Sequence, residues 1–378
     1  MGNSPKTVGL EFESIIAERE GVSRAFNIGD SSTIRTVTRD ASVESEMALI
    51  GGSSSLFLGS SFLRDRFRSK SKLVTGYEIV TFPLEMDEMR KTIIRVLNAQ
   101  SKTGEIFSDR SSIHVHVGFP SGFIFLKSAL ALGIKVEPLL YKIAGMGGTY
   151  RGIINNSAYC RALMAPPAVR LADLDNEFAI LDPASALETG NVTDFWAKFG
   201  IRYGDRERYN PLRYMGINLY STILKGTLEF RFFNFSLVSK HVEAVAALSQ
   251  FLVDLMIRLP IHESSALPHI DIFKENDDET YLRLLEELVT LGRYYGCEFN
   301  LYSRDIDSIA ELIFTTKQPV FVNKPILSHV NSARITSVDA KRSGLRIIKE
   351  ASPPGIIDIH NFANIDVSLL GDACKCAN

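Results

Sequence analysis

The sequence has 378 residues, 45% hydrophobic and 23% charged, a balance that permits a sizeable buried core and excludes a disordered chain. A formal net charge of −2 excludes global attraction to nucleic acid or anionic lipid, so function has to reside in local sites. No uninterrupted apolar stretch reaches the about 18 residues a bilayer span needs, and the start, MGNSPKTVGLEFES, has no apolar signal core, so no membrane association and a cytoplasmic location are expected.

Four cysteines, Cys160, Cys297, Cys374 and Cys376, are too few and too irregularly spaced for a disulfide framework, which suits a reducing compartment. The pair Cys374 and Cys376 lacks a second ligand pair nearby and reads as part of a tail. The first six residues depart from a myristoylation pattern at Lys6, where Ser or Thr is wanted.

Along the chain, VGLEFESII at 8–16 alternates as a strand does, and 35–44 reads as another. A loop is expected over 50–73, with a Gly/Ser stretch at 51–61 and a basic run from Arg64 to Lys72. GYEIVTFPL at 76–84 reads as a strand ended by a proline. It feeds a helix at 85–99, where Met86, Met89, Ile93, Ile94 and Leu97 recur at helical spacing. IHVHVGF at 113–119 is a further strand, followed by a helix over about 124–144. Residues 150–213 are mixed; 214–222 and 226–235 read as strands and 239–258 as a long helix. Helices are expected at 278–295 and 304–314, the second with Ser303 as N-cap, and short β-like runs over 320–378. No repeat of fixed period is present.

The chemistry emerges when the strands are compared by face, because successive strand side chains point to opposite sides. Leu10 and Phe12 oppose Glu11 and Glu13; Ile113, Val115 and Val117 oppose His114 and His116; Leu228, Phe230 and Phe232 oppose Glu229 and Arg231. Glu78 interrupts the apolar face of its own strand. Each strand alone fits a solvated antiparallel sheet. Together, carboxylates, imidazoles and an arginine are short-range partners for hard divalent metals and a polyphosphate.

Six segments occur in the order found in amidoligases: GLEFE at 9–13, RDASVE at 39–44, GYEIVTFPL at 76–84, SSIHVHVGF at 111–119, SAYCRAL at 157–163 and RYMGINLYSTILKGTLEFRFFNFS at 213–236. Over roughly residues 8–258 the chain thus resembles the amidoligase family, relatives of glutamine synthetase and glutamate–cysteine ligase. The resemblance implies an α+β fold: a glutamine-synthetase-like, curved, largely antiparallel sheet with helices on one face and the active site, holding ATP and two or three Mg²⁺ ions, on the other. It implies a catalytic domain over 1–260 and a helical and mixed extension over 261–378.

Carried over position by position, Glu11, Glu13, Glu78 and Glu229 match metal ligands, and His114 and His116 match the HVH strand that serves metal and nucleotide. Arg231 matches the contact to the transferring phosphoryl group, and Arg213 is a phosphate candidate. Asp40 stands in Asp40-Ala41-Ser42 where the family has Asp-Gly-Ser; it is carried over as a substrate contact and acid–base candidate, although Ala41 removes the turn freedom of glycine. Tyr159 and Arg161 match the acceptor side. The implied reaction joins a carboxylate to an amine through an acyl phosphate, the substrates being small molecules or peptides, and self-association is left open.

Three alternatives stand beside this reading. His114-x-His116 is also a zinc pattern of hydrolases, but His241, His262, His269, His329 and His360 form no compact second ligand motif. A phosphotransferase would share the metal face and transfer phosphate to nitrogen. A binding protein would use the basic run from Arg64 to Lys72, with nucleic acid as its partner.

Overall fold

The computed structural model describes residues 7–17, 32–39, 48–50, 56–57, 74–101, 105–108, 111–120, 122–144, 160, 163, 183–202, 204, 206, 211–270, 277–297 and 301–315. Alternating strands assemble into one open antiparallel sheet of β1 (Val8–Ala17), β2 (Ile34–Arg39), β3 (Ala48–Ile50), β4 (Leu56–Phe57), β5 (Val74–Thr81), β6 (Glu105–Ser108), β7 (Ser112–Gly118), β8 (Ile217–Asn218) and β9 (Thr227–Asn234). β1 is its hub. It pairs with β5 over Glu11–Ala17 on one side and with β7 over Val8–Glu13 on the other, where β6 continues at Ile15 and Ile16. β2 extends the sheet beyond β5, while β9 and then β8 extend it beyond β7.

The helices are α1 (Met86–Ser101), α2 (Phe123–Ile143), α3 (Pro183–Glu188), α4 (Val192–Ala197), α5 (Ser221–Leu224), α6 (Ser239–Arg258), α7 (Asp278–Tyr294) and α8 (Ser303–Thr315). Leu10, Phe12, Ile113, Val115, Val117, Leu228 and Phe230 are fully buried on the sheet face that receives α1, α2 and α6. Each such side chain contributes about 1.5–3 kcal/mol relative to exposure. α7 and α8 pack in turn on α2 and α6, so the same apolar cluster continues through Leu285, Leu288, Ile309 and Ile313. The fold class is therefore α+β, as the family resemblance implies. Among the described residues no helix is long and apolar enough to cross a membrane.

Several expectations are corrected. The stretch 214–222 is not a strand: a 3₁₀ turn (Pro211–Tyr214) leads into the two-residue β8 and then α5. Asn218 causes the break, since its side-chain oxygen accepts the Ser221 N–H at 3.2 Å and diverts the backbone from the ladder. Within the expected loop over 50–73, Leu56–Phe57 forms β4. The β5 strand ends at Thr81, before Pro83, with Leu84 keeping one bridge to Val8. Ser303 is the first helical residue of α8 rather than its cap, and the Tyr302 N–H is taken by the Asp305 carboxylate at 2.8 Å. The β-like runs at 320–378, the run Arg64 to Lys72, Cys374 and Cys376 lie outside the described residues, as does most of 150–182.

One buried ion network joins three helices. The Arg90 guanidinium of α1 donates to both Asp305 oxygens at 2.8 and 2.6 Å and to Glu243 of α6 at 3.2 Å, and lies 5.0 Å from the centre of the Tyr302 ring. Asp305 sits on α8, so removing it takes away the two shortest contacts of Arg90, which keeps Glu243, and the acceptor of the Tyr302 N–H at the helix start. Asp305→Ala is expected to lower unfolding stability by about 1.5–3 kcal/mol, read from urea denaturation.

Cys297 is fully buried, and burial, reinforced by the charge of Asp254, pushes its thiol from 9.0 up to about 12. Its folded value is raised, so its contribution to stability is complete below the unfolded value and is lost as pH climbs towards about 12. At pH 8 the native protein should therefore leave Cys297 unalkylated by iodoacetamide, and urea should expose it, as peptide mass mapping would show.

Candidate functional site

The polar side of the sheet is set by register. Glu11 of β1 stands opposite His114 of β7, Glu13 opposite Ser112, and His116 opposite Glu229 of β9, which in turn faces Asn218 of β8. Directly opposed strand residues share a face with Cβ atoms about 4.5–5.5 Å apart, so adjacent strands bring these groups together.

A bulge adjusts this register. Val115 pairs with Phe230 but Ile113 pairs with Phe233, so Arg231 and Phe232 together oppose His114. The bulge accounts for two consecutive fully buried phenylalanines, with Phe232 edge-on to Tyr141 of α2 at 4.7 Å. It sits where Arg231 leaves the β7 ladder and donates its backbone N–H to the Gly216 carbonyl at 2.8 Å.

The side chains interlock. His116 Nε2 lies 3.0 Å from Glu11 Oε1 and 3.7 Å from Glu229 Oε1; His114 Nδ1 lies 3.3 Å from Glu11 Oε2 and 3.6 Å from Glu229 Oε1; His114 Nε2 lies 3.4 Å from Glu13 Oε2. The Ser112 hydroxyl donates to Glu13 and stands 3.1 Å from His114 Nε2. Arg231 donates to Glu229 Oε1 at 2.6 Å and Asn218 to Glu229 Oε2 at 2.5 Å, so both oxygens of this buried carboxylate are held. His116 Nδ1 is 3.2 Å from the Thr227 hydroxyl, which is 3.0 Å from that of Ser221. Lys225, half exposed, donates to Glu11 Oε1 at 2.9 Å.

Burial opposes ionisation of these carboxyls, yet the surrounding charges prevail. For Glu11, burial is outweighed by the charge of His116, close contacts to both imidazoles and Lys225, which hold it well below the usual carboxylate range. For Glu229, burial and Glu11 raise the value while Arg231, His116 and His114 lower it, to about 2. Arg231 is raised despite burial by Glu229, Glu13 and Glu11, so it stays a cation. The carboxylates of Glu11, Glu13 and Glu229 thus face two cationic side chains, Arg231 and Lys225, before the imidazoles are counted.

Two groups here have the make-up of metal ligands: Glu11, His116 and Glu229, and Glu11, Glu13 and His114, the offered atoms of each lying within 4.8 Å of one another. Glu11 belongs to both. A second observation points the same way: His116 Nε2 is buried, makes no hydrogen bond of proper alignment, and is aimed between Glu11 and Glu229. Carboxylate oxygens suit Mg²⁺ or Mn²⁺ and the imidazoles are compatible with Mn²⁺ or Zn²⁺, so the donor set fits a divalent ion.

The structure therefore gathers Glu11, Glu13, His114, His116, Glu229 and Arg231 in one cluster. Glu78 stands opposite Glu13 across β1 and β5, on the same face and one strand outward. Arg213 is in the 3₁₀ turn, with its guanidinium 5.4 Å from the centre of the Tyr214 ring. Asp40, Tyr159 and Arg161 lie outside the described residues. Sequence reasoning missed Asn218, Thr227, Ser221, Ser112 and Lys225. Ser112 and Thr227 follow from strand parity, since they share the faces of His114 and Glu229, whereas Lys225 and Asn218 reach the cluster through the unpredicted α5 turn. Among the described histidines, His241, His262 and His269 belong to neither metal-ligand group.

The family described as "putative amidoligase enzyme" matches residues 5–253, a span that contains every strand of the sheet and most of α6. The chain belongs to the amidoligase family, and that membership supports a ligase-type function. Curated proteins yield no match to it.

Gly216 lets β8 lie close on β9, because a Cβ there would sit 2.4 Å from the Phe232 ring, which is fully buried against Tyr141. Gly216→Ala is expected to cost about 1–3 kcal/mol in urea unfolding through overpacking beside the bulge.

Proposed function

We propose that the protein is an ATP-dependent carbon–nitrogen ligase that joins a carboxylate to an amine through an acyl phosphate. The observation that carries this reading is the pair of ligand groups sharing Glu11, with the buried cation Arg231 against Glu229 at their edge. Phosphoryl transfer depends on positioned positive charge around the moving phosphoryl group, and this face supplies both metal ligands and an arginine fork. A glutamine-synthetase-like sheet is part of the proposal, supported by the antiparallel strands with helices on one face and the cluster on the other.

In the first step a substrate carboxylate oxygen attacks the γ-phosphorus of ATP, the bond to the bridging oxygen breaks, and ADP leaves. In the second the amine nitrogen attacks the acyl carbon, phosphate leaves with the C–O bonding pair, and the amine gives up a proton to a base. Glu11, Glu13, His114, His116 and Glu229 would hold two or three Mg²⁺ ions, with Glu78 as an outer ligand, and the ions when bound neutralise charge on phosphate oxygens. Asn218 and Arg231 fix the Glu229 carboxylate, and Thr227 orients the His116 ring. Arg231, permanently charged, is the contact proposed for the transferring group, with Arg213 as a further phosphate contact and Asp40 as the acid–base residue. A reducing, cytoplasmic setting is also proposed, supported by the free buried thiol of Cys297.

Calorimetric titration with a non-hydrolysable ATP analogue tests the reading, in Mg²⁺ and in EDTA, on wild type and Glu229→Gln, which keeps the shape of the side chain. Binding should require Mg²⁺ and weaken at least about tenfold in the variant. Equal binding in EDTA, or tight zinc binding with no nucleotide affinity, would overturn the ligase assignment.

A further inference from the structure

We infer that Lys225 is a built-in counter-cation that stands in for a divalent ion at Glu11 and must swing away when the ion binds. The inference rests on the metal-binding reading of the cluster. Two cations face the carboxylates, and they are held differently. Arg231 is buried, 2.6 Å from Glu229 Oε1, and enclosed by β7 and β8, so it is a fixed part of the site. Lys225 is half exposed and makes its contact at the rim, 2.9 Å from Glu11 Oε1.

The backbone beneath Lys225 is firmly placed, while its side chain is half exposed. Its N–H donates to the Ser221 carbonyl at 2.8 Å and closes α5, and the next residue, Gly226, takes a left-handed φ of 68° while its carbonyl accepts the Phe119 N–H at 3.0 Å. This turn aims a four-carbon stem at the cluster and leaves the ammonium on the accessible side.

The oxygen that Lys225 holds is the one that matters for an ion. Glu11 Oε1 is 3.0 Å from His116 Nε2, the buried nitrogen that has no aligned hydrogen bond, and Glu11 is common to both ligand groups. An ion between Glu11, His116 and Glu229 would lie within a few ångströms of the ammonium. Repulsion between a divalent ion and the ammonium exceeds what a rim ion pair contributes, so both cannot hold Glu11 at full strength. Without the ion, Lys225 offsets the mutual repulsion of the carboxylates and keeps the site assembled. With the ion in place, the displaced ammonium is left at the mouth, where an anionic substrate has to enter.

Mn²⁺ titrations of the whole chain, followed by electron paramagnetic resonance of the free ion and without nucleotide, test this on wild type, Lys225→Met and Lys225→Arg. Lys225→Met should bind Mn²⁺ roughly fivefold to tenfold more tightly than wild type, and Lys225→Arg should stay close to wild type. In thermal unfolding the Met variant should melt lower than wild type without metal, and the difference should vanish at saturating Mn²⁺. Equal or weaker Mn²⁺ affinity in Lys225→Met would overturn the displacement idea while leaving the metal site standing. No Mn²⁺ binding by any of the three cooperatively folded proteins would overturn the metal-site reading itself, and this inference with it.

Discussion

A buried carboxylate has to be held by charge or by hydrogen bonds at both of its oxygens, and at Glu229 this requirement organises the whole polar face. Asn218 takes one oxygen and Arg231 the other, while both imidazoles of β7 approach the Arg231-bound oxygen to within 3.7 Å. Asn218 can do so because the chain turns into α5 immediately after it, and Arg231 because it stands two residues on in β9, on the same face. Without these partners, Glu229 would lose the groups that hold its two oxygens in a desolvated place.

The rigidity of that face comes from the opposite side of the sheet. β1, β7 and β9 present alternate residues to α1, α2 and α6, and α7 and α8 cover those helices in turn. The Arg90 network ties α1, α6 and α8 across this packing, so the helices that support the strands cannot slide independently without unpairing a buried charge. Ligands mounted on strands held in this way are placed more accurately than ligands on loops. The family match ends at residue 253, yet α7 and α8 contribute to the same apolar cluster.

A cluster of three carboxylates, two imidazoles, an arginine and a lysine suits chemistry in which negative charge is gathered and moved. Its cations differ in burial, with Arg231 enclosed and Lys225 at the rim. Membership of the amidoligase family supports a ligase-type function, and the reaction proposed above would draw on this distribution of charge.

The sequence by itself determined which side chains share a face. Strand parity is a local property, so Glu11 and Glu13, His114 and His116, and Glu229 and Arg231 could be set against their apolar neighbours from spacing alone, and helical spacing located α1, α2, α6, α7 and α8 to within a residue or two. It could not show which strands are neighbours, because pairing β1 between β5 and β7 brings together residues 57 to 109 positions apart. Nor could it foresee the α5 turn: INLY has the apolar pattern of a strand, and the Asn218 side chain instead accepts the Ser221 N–H at the start of α5. The contacts of Asn218 and Lys225 with the cluster, and the bulge at Arg231, are therefore products of tertiary packing, since each depends on where a distant strand or ring happens to lie.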